Sequence, residues 1–179
     1  ALPASMVPAM AQNVLQSRRQ SVIWFSCQEC TGCIESLTRS YAPTLENMLF
    51  NMISLDYQEA LMAAAGQQAM DAIHNAAYEN KGKFILVVDG SIPTGLNGAY
   101  SCVNGRTNLD ELQELAPMAA EIVAIGTCAS YGGVGAAHPN PTGAKGTMEH
   151  LRDLKITTPC INVPGCPPMP EVMTGVLTS

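Results

Sequence analysis

The sequence predicts an α/β domain in which a doubly wound parallel sheet carries helices on both faces. Two observations support this. Short apolar runs of β type recur at 22–25, 49–55, 84–88, 122–125 and 160–163, and stretches of helical spacing separate them. Alternation of this kind is the pattern of parallel strands joined by crossover helices. Four or five strands in one chain of 179 residues give a flavodoxin-like winding in a single domain, large enough for a core without disulfide staples.

The elements follow in order. Residues 1–20 form an N-terminal extension, and 21–179 form the domain. Residues 1–11 resemble the tail of a secretory signal ending at Ala9-Met10-Ala11, or are simply an apolar N-terminus. Val22-Ile23-Trp24-Phe25 is the first strand. A helix is expected over 34–41, stopped before Pro43, and then a strand over 49–55. Leu61, Ala65, Ala69, Ile73 and Ala76 recur at helical spacing, so a long helix is expected over 58–79. Phe84-Ile85-Leu86-Val87-Val88 is an unbroken apolar run ended by Asp89-Gly90, as a strand buried on both faces should be. A Gly- and Pro-containing loop over 91–106 leads to a helix over 108–120, with Asn108 as its N-cap and Pro117 as a late interruption. The strand at 122–125 is followed by a long Gly/Pro loop over 130–146, a helix over 147–153 and the strand at 160–163. Beyond Pro170 the chain is expected to be helical.

Composition narrows the function. Hydrophobic residues make up 47% of the chain and charged residues only 13%. With three Phe and one Trp the excess is aliphatic, which suits burial against a partner. A net charge of −6 argues against nucleic acid, which calls for a basic face. No apolar run reaches the roughly 18–20 residues needed to cross a bilayer. Seven cysteines cannot all pair, so metal or redox chemistry is the better reading for at least four.

Cys30-Thr31-Gly32-Cys33 follows the first strand directly. Cys128 closes the run ending in Ile125-Gly126-Thr127, and Cys166 closes the run ending in Val163-Pro164-Gly165. All four thiols therefore fall just past strand ends, where open α/β sheets bind their ligands. Soft thiolates select zinc, copper(I) or iron–sulfur clusters. Structural zinc usually takes two close pairs. One pair and two distant singletons suit a cuboidal cluster with a metal at each of four corners. A zinc site and a bare redox dithiol stay open at this point. Gly32, Gly126, Gly132, Gly133, Gly135 and Gly165 allow backbone to approach the sulfurs. Cys102 and Cys160 read as small hydrophobes. Cys27-Gln28-Glu29-Cys30 is itself a CxxC, but the Thr-Gly spacer favours Cys30 with Cys33. Glu29, beside the first thiol, is either a proton relay or a hydrogen-bonded loop glutamate. His74, His138 and His150 read as surface or capping residues.

These residues resemble a known family. Glu29-Cys30-Thr31-Gly32-Cys33 with Glu35-Ser36, Asp89-Gly90-Ser91-Ile92-Pro93, Ile125-Gly126-Thr127-Cys128-Ala129 with Gly132-Gly133, Pro139-Asn140-Pro141-Thr142-Gly143-Ala144 and Asn162-Val163-Pro164-Gly165-Cys166-Pro167-Pro168 are similar to the small, electron-transfer subunit of nickel–iron hydrogenases. The resemblance implies a proximal [4Fe-4S] cluster on Cys30, Cys33, Cys128 and Cys166. It implies a large-subunit partner that carries the nickel–iron centre and splits hydrogen, so no catalytic metal sits in this chain. It also implies an external acceptor such as a cytochrome or a quinone-linked protein. The location implied is periplasmic, or membrane-associated on the periplasmic side, reached by the twin-arginine route. Medial and distal clusters are expected only if the chain continues. Gly32 and Gly133 stand where oxygen-tolerant members carry extra cysteines, so an ordinary four-thiolate cluster is expected. Rival readings are the cluster-bearing quinone-reductase subunit of complex I, whose first two ligands are adjacent cysteines, a zinc-stabilised binding module, and a flavin carrier.

Overall fold

A computed structural model describes residues 19–179. Five parallel strands form the central sheet: β1 (Gln20–Ser26), β2 (Ile53–Gln58), β3 (Ile85–Asp89), β4 (Glu121–Ile125) and β5 (Cys160–Val163). Their spatial order is β2-β1-β3-β4-β5, which is the flavodoxin-like order. The helices are α1 (Gly32–Leu37), α2 (Gln67–Glu79), α3 (Asn108–Leu115), α4 (Gly126–Tyr131), α5 (Thr147–Asp153) and α6 (Pro170–Thr178).

Side-chain alternation along the strands sorts the core into two layers. Ile23, Phe25, Leu86, Val88, Ile122 and Ala124 face one side and pack with Ile73 of α2, Leu112 of α3 and Leu151 of α5. Val22, Trp24, Val87, Val123, Ile125 and Val163 face the other, with Ile34 and Leu37 of α1 and Met173 and Leu177 of α6. The central strands are therefore apolar on both faces, and their sequences read as continuous runs for that reason. Trp24 and Phe25 are almost completely buried, each worth roughly 2 kcal/mol or more of transfer free energy.

Several local expectations shift. The strand expected over 49–55 begins at Ile53, because Thr44 caps a helical turn by accepting from the Asn47 N–H and π-helical winding continues through Met48–Met52. The helix expected from 58 starts at Gln67. Gln58 ends β2 with its side chain buried, and Gly66, at φ 56, sets the turn into the helix. The Ala-rich composition of 60–65 yields to that burial. The first helix ends at Leu37. The helix after 108 is capped by Thr107, whose Oγ1 accepts the Asp110 N–H at 3.1 Å. Asn108 instead donates to the Ser26 carbonyl at 2.7 Å. Pro117 ends that helix in a 3-10 turn over Ala116–Met118. His150 is buried in α5 rather than solvated. His74 Nε2 lies 2.6 Å from Oε1 of buried Glu111.

The strands end in step. Ser26 pairs with Asp89, Asp89 with Ile125, and Ile125 with Val163. Every loop that leaves these ends therefore opens on one edge of the sheet. Of the extension expected over 1–20, only residues 19 and 20 are described, and Gln20 already belongs to β1. The signal-like residues 1–11 lie outside the described residues. Among the described residues no helix is long and apolar enough to cross a membrane.

Candidate metal centre

Cys30, Cys33, Cys128 and Cys166 line one cavity of about 150 Å³ at that edge, together with Glu29, Asp89 and Thr127. Cys27, Cys102 and Cys160 do not. Two of the four thiols stand in the first turns of helices rather than on loops: Cys33 in α1 and Cys128 in α4. Cys30 and Cys166 lie on the loops after β1 and β5 and are exposed. The CxxC turn works because Thr31 takes φ 69 at the start of α1, so the chain reverses between the two sulfurs.

Glycines form the walls of the cradle. A Cβ on Gly126 would stand 2.7 Å from the Cys33 Sγ, one on Gly133 2.6 Å from the Cys128 Sγ, and one on Gly32 3.2 Å from the Cys30 Sγ. Gly132 abuts Ala136 and Gly135 abuts Ser91, away from the sulfurs, while Gly165 abuts Pro168 and lines the cavity beside Cys166. The sulfur-bearing segments are tied to one another by hydrogen bonds. Ser36 Oγ, in α1, donates to the Pro168 carbonyl beyond Cys166 at 2.7 Å. The Thr127 N–H donates to the Gly165 carbonyl at 2.8 Å, and the Gly165 N–H donates back to Thr127 Oγ1 at 3.2 Å.

The electrostatics disfavour free thiolates. Burial, with the Asp89 carboxyl beside it, pushes the Cys33 thiol far up. Burial also raises Cys128, against the Val134 N–H that favours its anion. Asp89, itself raised to about 7 chiefly by burial, is 1% exposed and leaves one carboxyl oxygen without a partner. A cationic group must displace the thiol protons to bind here. Among the described residues no three His, Cys, Asp or Glu side chains converge on a point where a single ion would sit. Four thiols spread around a cavity, with small walls against the sulfurs, fit a polynuclear group better than zinc.

Cys27 is ruled out of the ring. It is half-buried against the core, and its desolvation raises the thiol far above its ordinary value. Cys160 packs half-buried against the core, and Cys102 is exposed in a small hairpin with Arg106–Thr107. Sequence reasoning assigned no role to Asp89, Ser36 or Thr127. The motif around Asp89 was visible, but only the step-matched strand ends bring its carboxyl to the thiols.

Fold and site together define a doubly wound α/β domain with a four-thiol cavity at the carboxyl edge of its sheet. The chain belongs to the NADH ubiquinone oxidoreductase 20 kDa subunit family, whose model matches residues 30–179. It is 47% identical over 170 residues to the hydrogenase-2 small chain of Escherichia coli K12, covering 95% of this chain and 45% of that protein. It is 44% identical over 173 residues to the periplasmic [NiFe] hydrogenase small subunit 1 of Nitratidesulfovibrio vulgaris Hildenborough, covering 97% and 54%. The fold matches the Ni-Fe-Se hydrogenase of Desulfomicrobium baculatum with a TM-score of 0.88 at 38% identity, over 89% of this chain and 61% of that one. The chain thus spans about half the length of the relatives it matches, and the resemblance to hydrogenase small subunits holds along nearly all of it.

Proposed function

We propose that this chain is the electron-transfer small subunit of a nickel–iron hydrogenase. The observation that carries the reading is the ring of Cys30, Cys33, Cys128 and Cys166 around one cavity, in a chain 47% identical to a hydrogenase small chain. In this reading the four thiolates hold one [4Fe-4S] cluster, which when bound accepts and passes single electrons. Residues 21–179 form the domain that carries it.

The protein's own part is to hold the four sulfurs at fixed spacing, with Cys33 and Cys128 half-buried and Cys30 and Cys166 at the exposed mouth. Glu29, on the wall of the same cavity, is the proton-relay residue of this proposal. A second, open hollow lined by Tyr131, Val134 and Ala137 adjoins Cys128 and Cys166, and Tyr131 and Val134 are exposed. We take this apolar mouth as the face that a large subunit bearing the nickel–iron centre covers. Electrons pass on to an acceptor such as a cytochrome or quinone-linked protein. The periplasmic side of the membrane is the proposed location, supported by the periplasmic relative, with export by the twin-arginine route.

The quinone-reductase reading draws on the family description alone, whereas the similar full-length proteins named above are hydrogenase small chains. The test is hydrogen-dependent dye reduction by the complex purified without oxygen. Activity that disappears with Cys33→Ser supports the proposal. A complex that reduces dye equally well with that substitution overturns it.

A further inference from the structure

We infer that Gln28 is a positioning residue for the thiol ring, acting as a side-chain staple between the segment carrying Cys30 and the segment that follows Cys128. The inference rests on the proposal that the ring holds a cluster. Two links between thiol segments are already described, Ser36 to Pro168 and Thr127 to Gly165, and both run to the Cys166 loop. The gap between the Cys30 and Cys128 segments needs its own closure.

Gln28 supplies it. Two residues before Cys30, its backbone forms a reciprocal pair with Ser91, N–H to carbonyl at 3.0 Å in each direction. Its side-chain Oε1 accepts the Thr142 hydroxyl at 3.1 Å and lies 3.5 Å from the Ser91 hydroxyl. Thr142 is the close donor; the Ser91 hydroxyl, which has one proton to give, stands at the same 3.5 Å from the Gln28 backbone carbonyl. Thr142 lies on the segment after α4, which is itself joined to the turn after β3. The Gly95 N–H donates to the Thr142 carbonyl at 2.8 Å, Thr94 Oγ1 donates to the Gly143 carbonyl at 2.8 Å, and Ile92–Pro93 pairs antiparallel with Ala144–Lys145. The junction is tight: a Cβ on Gly135 would lie 2.9 Å from Ser91 Oγ and 3.5 Å from the Gln28 side-chain carbon.

Neither Gln28 nor Thr142 lines the cavity, so any effect on bound metal runs through the backbone that carries the sulfurs. Holding the thiols at their working spread beforehand lowers the ordering cost of binding. It also keeps backbone donors aimed at the sulfurs, which tunes the potential of the group they hold. Losing one such hydrogen bond should change retention by about five- to thirty-fold.

The test uses the full complex, purified without oxygen, with Gln28→Leu, Thr142→Val, the two combined, and Thr142→Ser. Iron and sulfide per chain, the rate of iron loss to a chelator and the potential by EPR-monitored titration are measured. Each breaking variant should lose iron about five- to thirty-fold faster. Gln28→Leu should also shift the potential. The combined variant should be no faster than the worse single one, and Thr142→Ser should restore the original rate. Should Gln28→Leu fail to fold, the Thr142→Val and Thr142→Ser pair decides alone. Original rates and potential in the variants, or single effects that multiply in the combined one, overturn the inference while leaving the cluster reading intact. A parent complex without iron and sulfide sinks both.

Discussion

Gly126 and Cys33 meet so closely that a Cβ on the glycine would stand 2.7 Å from the sulfur. One residue follows β4 and opens α4; the other sits 93 positions earlier in α1. Gly126 also has φ +87, which costs an L-residue roughly 1–2 kcal/mol. Gly126→Ala should therefore strip most of the iron while leaving far-UV dichroism near normal. Gly82→Ala is the control, since Gly82 has φ +73 with nothing within 4 Å. It should lose about 1 kcal/mol of stability and no iron.

The cysteines divide four to three. Cys33→Ser or Cys166→Ser should lose or convert the bound cluster and end hydrogen-dependent dye reduction. Cys102→Ser and Cys160→Ser should change neither, because those thiols lie away from the cavity. Metal analysis and EPR on each variant decide it. Equal loss with Cys102→Ser would mean that the ring has been drawn around the wrong sulfurs.

Glu59 gives the fold a pH dependence. Burial raises its carboxyl to about 7, with one oxygen buried and unpartnered. Below its ordinary value near 4.5 it is neutral whether the chain is folded or not, and it costs nothing. Between 4.5 and about 7 the unfolded chain releases the proton while the folded one keeps it, so stability falls as pH rises. Above that the loss is complete, at most about 3 kcal/mol. Glu59→Gln should raise the urea midpoint at pH 8 and bring a smaller gain at pH 5.5. A gain independent of pH would contradict this account.

Glu111 is a buried carboxyl set between two basic side chains, and burial raises it against their pull. Its side chain is 4% exposed and lies 2.7 Å from Arg106 Nε and 2.6 Å from His74 Nε2. Arg106 also binds Glu114. Arg106 is itself 34% exposed, so Arg106→Met, which leaves the buried Glu111 carboxyl without that partner, should cost about 1–3 kcal/mol. Arg106→Met combined with Glu111→Leu should recover part of the loss. Urea unfolding of the three proteins tests this, and a double variant as unstable as the two effects summed would contradict it.

The fold class was legible because the central strands carry apolar residues on both faces, so that Val22 through Phe25 and Phe84 through Val88 stand out unbroken. The same feature marked their ends, and with them the four thiols. Strand β2 was less legible. It lies at the sheet edge, its Ser54 and Asp56 are only half-buried, and the helical winding before it is held by a Thr44 cap whose effect on Met48–Met52 is not written in hydropathy. The start of α2 was misplaced because alanine spacing cannot register the buried turn that Gln58 begins. At the site, the cysteines and the sulfur-facing glycines could be read from sequence. The contacts of Asp89, Ser36 and Gln28 could not, since they arise only when strand ends from distant parts of the chain come into step.

The most direct measurement is iron, acid-labile sulfide and zinc per chain on protein purified without oxygen. About four irons with matching sulfide are predicted, held by Cys30, Cys33, Cys128 and Cys166. Zinc without sulfide would contradict the account and make the thiol ring a structural site.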